Sequence, residues 1–367
     1  MRSASAREAK QRSAPVAVPA GPGRLLGGPW LLTGHDGRLT VYVHIDGSVL
    51  RWTESAGGRS WAGPDVLPAK DIDRLTVVQG RSRYAHLLGR RVRPRADGRS
   101  EVDIMYATQY QTGRPTTQWR SLGNPVKETA EASGTGAPAA AVARDGSLYV
   151  CVPTAPDGVA LRREDKKGRW QAWDRLPASG GTDGPTPAAL SSGLVEILVP
   201  TPDGALRLQQ PEPGGALARG EDVAVPPPLP GSVAALETAP DRLTYYLTEA
   251  PGGGVFAVRE GEPPVPLGGA PGDGRISAVR ATTGGLDCTV LAVRGTDDTV
   301  HLGICRTGRE RSGFRWTGSG MSCAGDPALA VDGGGRAAVV AVGADGRPVV
   351  ARQEEGRGLT FGDWILI

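Results

Sequence analysis

Apolar and polar residues alternate in short runs along most of the chain, and tight turns separate the runs. Asp36-Gly37 leads into Leu39-Thr40-Val41-Tyr42-Val43, and Asp145-Gly146 leads into Leu148-Tyr149-Val150. Alternation at period two predicts a β-strand with one side chain in every two on each face. Weaker copies of the same turn and strand begin at Asp97-Gly98, Ser192-Gly193, Asp241-Arg242, Gly284-Gly285 and Gly334-Gly335, which makes seven.

A second tight turn follows each of these strands. It reads Asp46-Gly47, Asp157-Gly158, Asp203-Gly204, Gly252-Gly253, Asp297-Asp298 and Asp345-Gly346, with Thr112-Gly113 in the second unit. Asp-Gly and Gly-Gly supply the positive φ angles of two-residue hairpins, so each unit is expected to hold a hairpin.

A third landmark closes the unit with an aromatic residue, two spacers, and Leu-Gly or Leu-Pro. Its fullest copy runs from Trp170 through Trp173 to Leu176-Pro177. Trp119 with Leu122-Gly123, Trp61 with Leu67-Pro68, and Phe361 with Trp364 and Ile367 follow the same plan. Units four and five keep only Leu229-Pro230 and Leu267-Gly268, and unit six has Trp316 without a closing leucine.

Seven units of about 50 residues, each with about four short strands, have the spacing of propeller blades. One such sheet cannot bury both faces alone, so blades must stack in a ring. The expected fold is therefore all-β, a seven-bladed β-propeller of four-stranded antiparallel blades over 25–367. Leu26-Gly27-Gly28 reads as the closing punctuation of a blade before the first, with Phe361–Ile367 supplying the last outer strand.

Composition fits many strands joined by turns. Gly (54) and Pro (31) are abundant, while 39% hydrophobic residues in alternating runs argue against disorder. Residues 1–28 carry Arg2, Arg7, Lys10, Arg12 and Arg24 against Glu8 alone, more than the whole net charge of +3. Residues 1–24 are thus expected to be a flexible basic tail and the body to be near neutral, which disfavours nucleic acid as a partner. Arg81, Arg83, Arg90, Arg91, Arg93, Arg95 and Arg99 read as a solvated hairpin. No run of 18 apolar residues exists, so no membrane insertion is expected. The tail has no hydrophobic core of its own and so no secretory signal. As written the chain reads as cytoplasmic; if processed, it reads as secreted.

Catalytic signatures are missing. His35, His44, His86 and His301 have no metal-site spacing, and no Cys-x-x-Cys, Walker loop or Gly-x-Ser-x-Gly elbow is present. No metal, cofactor or catalytic residue is expected. Glu196, Glu101 and Asp103 fall in strand registers and read as a solvated face. Cys288 and Cys305 lie on the two strands of the sixth hairpin, directly opposite or diagonal on one face according to the turn centre, so a disulfide between them is geometrically open. Two buried thiols are the equal alternative.

The landmarks together resemble bacterial seven-bladed propeller lectins of the fucose-binding and tectonin-like type, from about residue 25 onward. In that family sugars bind shallow pockets between adjacent blades, on aromatic walls with a few polar partners. The resemblance implies candidate contacts at Trp61, Trp119, Trp170, Trp173, Phe361 and Trp364, although the same residues suit packing between blades. Such propellers also serve as cell-targeting subunits of toxin assemblies. Propeller glycosidases carry a Ser-x-Asp-x-Gly-x-Thr-Trp turn; its nearest counterpart, Gly57-Gly58-Arg59-Ser60-Trp61, has Ala56 at the aspartate position. The expected function is a non-catalytic, multivalent carbohydrate-binding module. An intracellular protein-interaction scaffold is the alternative, and a glycan-active hydrolase the weaker one.

Overall fold

The computed structural model describes residues 23–58, 60–155, 158–179, 184–202, 204–221, 223, 225–250, 253–269, 272, 274–356 and 359–367. Residues 1–22 of the expected tail lie outside them, as do Arg59 and the turn residues Asp157, Asp203 and Gly252. Within the described residues the chain forms seven four-stranded antiparallel sheets, each using its strands in chain order. The blades span 25–68, 72–123, 139–179, 186–219, 234–268, 277–322 and 328–366. The first strands of consecutive blades lie side by side around the ring, and Ala328–Val331 of blade 7 meets Leu25–Thr33 of blade 1. Among the described residues helix is confined to the turns Thr129–Ala132 and Glu310–Ser312.

The buried apolar side chains sort into seven clusters, one between each pair of neighbouring blades. The second strand of blade 7, Ala337–Val342, shows how the sequence does this. Ala338, Val340 and Val342 pack toward blade 1, while Ala337, Val339 and Ala341 pack toward blade 6. Both faces are buried, so the strand reads as an unbroken apolar run. Strands at the outer edge, such as Arg315–Ser322, keep the polar alternation of a solvated face.

Several expectations are corrected in register. In blade 2, Asp97-Gly98 joins the second and third strands and Thr112-Gly113 follows the third, each one strand later than expected. The turn after the first strand is instead Gly80–Arg83, where Arg83 itself adopts a left-handed φ of 59°. No Asp-Gly marks it, so the turn pattern points to the next hairpin. Leu26-Gly27-Gly28 closes no earlier blade; it begins the first strand of blade 1 and pairs with the second. Leu229 donates its N–H to Thr248 of blade 5 at 2.7 Å, so Leu229-Pro230 belongs to the approach to that blade. The arginine-rich stretch is largely the extended hairpin of blade 2, where Arg91 pairs with Asp103 at 2.5 Å and Arg93 with Glu101 at 3.4 Å.

The cysteine pair also needs correction. Thr289 faces Cys305 and Cys288 faces Arg306. The turn is centred on Asp297 itself, an odd-numbered loop, so Cys288 and Cys305 project from opposite faces. All four thiols are free and buried.

A fourth repeated element is silent in the sequence pattern. A carboxylate or amide at or just after the end of the third strand accepts the backbone N–H that opens the second strand. Leu39 donates to Glu54 at 3.0 Å, Leu148 to Glu164 at 3.1 Å, Val195 to Gln210 at 2.9 Å and Ala337 to Gln353 at 2.9 Å. These groups satisfy an N–H that the sheet ladder would otherwise leave buried and unpaired.

Candidate functional site

The six aromatics singled out by sequence are spread along four seams between blades and are all half-buried. The indole N–H of Trp119 donates to Pro68 O at 2.8 Å, and that of Trp173 to Leu122 O at 2.9 Å. Trp316 repeats the bond to Leu267 O at 2.9 Å. Each acceptor lies in the closing Leu-Pro or Leu-Gly of the preceding blade, so the two halves of the third landmark hold neighbouring blades together. Trp61 packs between blades 7 and 1, and Phe361 and Trp364 pack between blades 6 and 7. Trp170 meets Tyr106 edge-on at 5.2 Å, with Arg162 5.9 Å above its ring.

Clefts form elsewhere, at one end of the ring. In a blade whose strands alternate direction, the first-to-second turn and the third-to-fourth loop emerge at the same end. Where two blades meet, these loops border a cleft. Such clefts lie between blades 7 and 1 (about 1300 Å³), 1 and 2 (about 640 Å³) and 3 and 4 (about 480 Å³).

The cleft between blades 1 and 2 has an aromatic wall. Tyr84 directly follows the Gly80–Arg83 turn, and Tyr110 directly follows the third strand, Ser100–Gln109. Their rings meet edge to face, 5.0 Å apart at 86°. Tyr84 is 38% and Tyr110 56% exposed. His35, Asp36, Arg38, Arg83, Thr112 and Arg114 supply polar groups around them.

The floor and rim are tied down. Asp36 accepts from Arg38 Nε at 2.7 Å and from Thr112 Oγ1 at 2.9 Å. Partial burial raises the Asp36 carboxyl, but these hydrogen bonds outweigh it and hold the group below the usual range. Gly34 makes this approach possible, because a Cβ there would lie 1.9 Å from Thr112 Oγ1. Beneath, the buried Tyr42 hydroxyl donates to Gln109, whose Nε2 donates to Arg114 O at 2.8 Å. Arg51 Nη1 reaches the same carbonyl at 2.6 Å.

The other two clefts are polar without an exposed aromatic wall among the described residues. Between blades 7 and 1, Asp332 accepts from Arg352 at 2.9 Å and Arg336 at 3.1 Å, and Arg352 also pairs with Glu54. Between blades 3 and 4, Tyr149 is buried and receives Gln210 Nε2 at 3.1 Å. Among the described residues no group of three or more His, Cys, Asp or Glu side chains could hold a metal ion.

No family model matches the chain, and no curated protein matches it. Solved structures do. The chain is similar to the BP39L lectin from Burkholderia pseudomallei, at 13% identity and a TM-score of 0.68, covering 92% of this chain and 97% of that one. It is similar to the SapL1 lectin in complex with α-methyl fucoside, at 13% identity and 0.51, covering 81% and 96%. A Hadza microbial sialidase, Hz136, reaches 0.50 at 13% identity, covering 83% and 70%. At such identities the likeness is one of fold, and it agrees with the propeller type read from the landmarks.

Proposed function

We propose that this propeller is a non-catalytic carbohydrate-binding module with its principal site in the cleft between blades 1 and 2. The exposed Tyr84–Tyr110 pair carries the reading. A sugar stacks its apolar face on an aromatic ring while fixed polar groups address its hydroxyls, and this cleft offers both. The lectins of similar fold support it, BP39L above all, over nearly the whole of both chains. We assign Trp61, Trp119, Trp170, Trp173, Phe361 and Trp364 to blade packing, because all six lie against the apolar clusters between blades and Trp119 and Trp173 spend their indole N–H on the neighbouring blade.

The sialidase likeness favours hydrolysis as a second reading. Glycoside cleavage commonly needs two carboxyl groups flanking the bond. Among the described residues the tyrosine cleft is lined by one, Asp36, which is engaged by Arg38 and Thr112. That composition supports binding over turnover. The test is a broad glycan array with the intact chain, followed by incubation of any bound glycan. Retention of unaltered glycan supports the proposal. Cleavage supports the hydrolase, and a blank array turns the reading toward a protein-interaction scaffold.

A further inference from the structure

We propose that the Tyr84–Tyr110 cleft selects glycans bearing a negatively charged substituent, through Arg83 and Arg114. The inference rests on the carbohydrate-binding reading above and specifies its ligand class. Arg38, Arg83 and Arg114 line the cleft against the single carboxylate of Asp36, which Arg38 already engages. Neither Arg83 nor Arg114 forms an ion pair among the described residues. On the paired strands of the same blade, Arg90 pairs with Asp73 at 2.6 Å and Arg91 with Asp103 at 2.5 Å, whereas the cleft supplies Arg83 and Arg114 with no carboxylate of their own. Two guanidiniums beside an exposed aromatic pair thus carry uncompensated positive charge.

Their backbones are held in place. Arg83 takes the left-handed conformation, and its carbonyl accepts Gln79 Nε2 at 2.9 Å. The Arg114 carbonyl accepts from both Gln109 and Arg51, at 2.8 and 2.6 Å. The guanidiniums therefore spring from fixed bases on two loops of blade 2, which lowers the ordering cost of closing on a ligand. A guanidinium presents a planar fork of donors that matches a carboxylate or sulfate and exceeds what a neutral hydroxyl offers. With the sugar ring against a tyrosine, an anionic substituent completes both halves of the site.

The experiment compares neutral, carboxylated and sulfated versions of the same oligosaccharides on one array, at low and raised salt. Wild type, Arg83→Gln, Arg114→Gln, the double replacement and Tyr110→Ala are run together, with melting temperatures as the folding control. The charged glycans should bind about fivefold or more tightly than neutral counterparts at low salt, with raised salt narrowing the gap. The double replacement should bring that ratio to about one, and Tyr110→Ala should weaken neutral and charged glycans alike while keeping the ratio. Preference for carboxylated or for sulfated sugars names the source of the anion, and either supports the inference. Equal binding of neutral and charged glycans, or a preference that survives both replacements, overturns it and leaves carbohydrate binding standing. If no glycan of any kind binds, the carbohydrate reading falls and this inference with it. Binding of an acidic peptide where no glycan binds overturns both in the same way.

Discussion

Trp173 of blade 3 donates its indole N–H to the carbonyl of Leu122 in blade 2 at 2.9 Å. Trp119 makes the same bond to Pro68, 51 residues away, and Trp316 makes it to Leu267, 49 residues away. A tryptophan from one unit and the closing dipeptide of the unit before it form one recurring staple. Replacing Trp173 by Phe should keep most of the packing and remove one of the two donors to the Leu122 carbonyl, leaving Arg162 as the other, at a cost of about 1 kcal/mol. Trp173→Ala should cost about 3 kcal/mol, because it also opens the seam. Urea unfolding of both variants checks the order and the sizes.

The buried polar seam between blades 5 and 6 gives a larger effect. Glu310 is almost wholly buried, pairs with Arg259, and accepts the Tyr246 hydroxyl at 3.0 Å. Glu310→Ala leaves the buried Arg259 charge only its looser pair with Glu262 at 3.8 Å and should destabilise by about 3–5 kcal/mol. Replacing both partners, Arg259→Met with Glu310→Leu, should recover most of that loss. A double-mutant cycle in denaturant measures the coupling.

His86 should make stability depend on pH. Its ring is buried, and burial pushes its pKa down from 6.5 to about 4. The unfolded chain then takes up a proton at a higher pH than the native ring does. Stability should be level above about pH 6.5 and fall by about 3 kcal/mol as the pH drops toward 4. In His86→Leu that part of the slope should vanish. Unfolding titrations across this window, variant against wild type, test it.

Cys288 and Cys305 project from opposite faces of their sheet. Thiol titration of the denatured chain should count all four cysteines with or without reductant. A count of two without reductant would contradict the register. In the native protein alkylation should be slow, since burial pushes Cys305 up to about 12 and Cys323 up to about 11.

The ring is legible because its repeat is written in turn chemistry. Asp36-Gly37, Asp145-Gly146 and Gly334-Gly335 mark the same turn in three blades, and the strands between them alternate. Blade 2 reads one strand late because Arg83 occupies the left-handed position that Gly37, Gly146, Gly193 and Gly335 hold in other blades. Alternation alone does not say that both faces of a middle strand are buried; Ala337–Val342 makes that plain only once two neighbours flank it. The site is less legible. Tryptophan spacing points to Trp119 and Trp173, which staple the blades. Tyr84 and Tyr110 sit singly at strand ends, 26 positions apart, and the pairing of Ala85 with Gln109 inside blade 2 sets them opposite each other. Their one sequence signal is an aromatic residue beside turn residues, where packing does not require one.

Calorimetric titration of the best glycan from the array into Tyr110→Ala and Trp173→Phe tests the assignment of the site most directly. Tyr110 is 56% exposed, so its replacement should leave the melting temperature nearly unchanged while affinity falls about tenfold or more. Trp173→Phe should do the reverse, losing stability and keeping affinity. Full affinity in Tyr110→Ala, with binding lost in Trp173→Phe at unchanged stability, would contradict the assignment and move the sugar to the tryptophan seam.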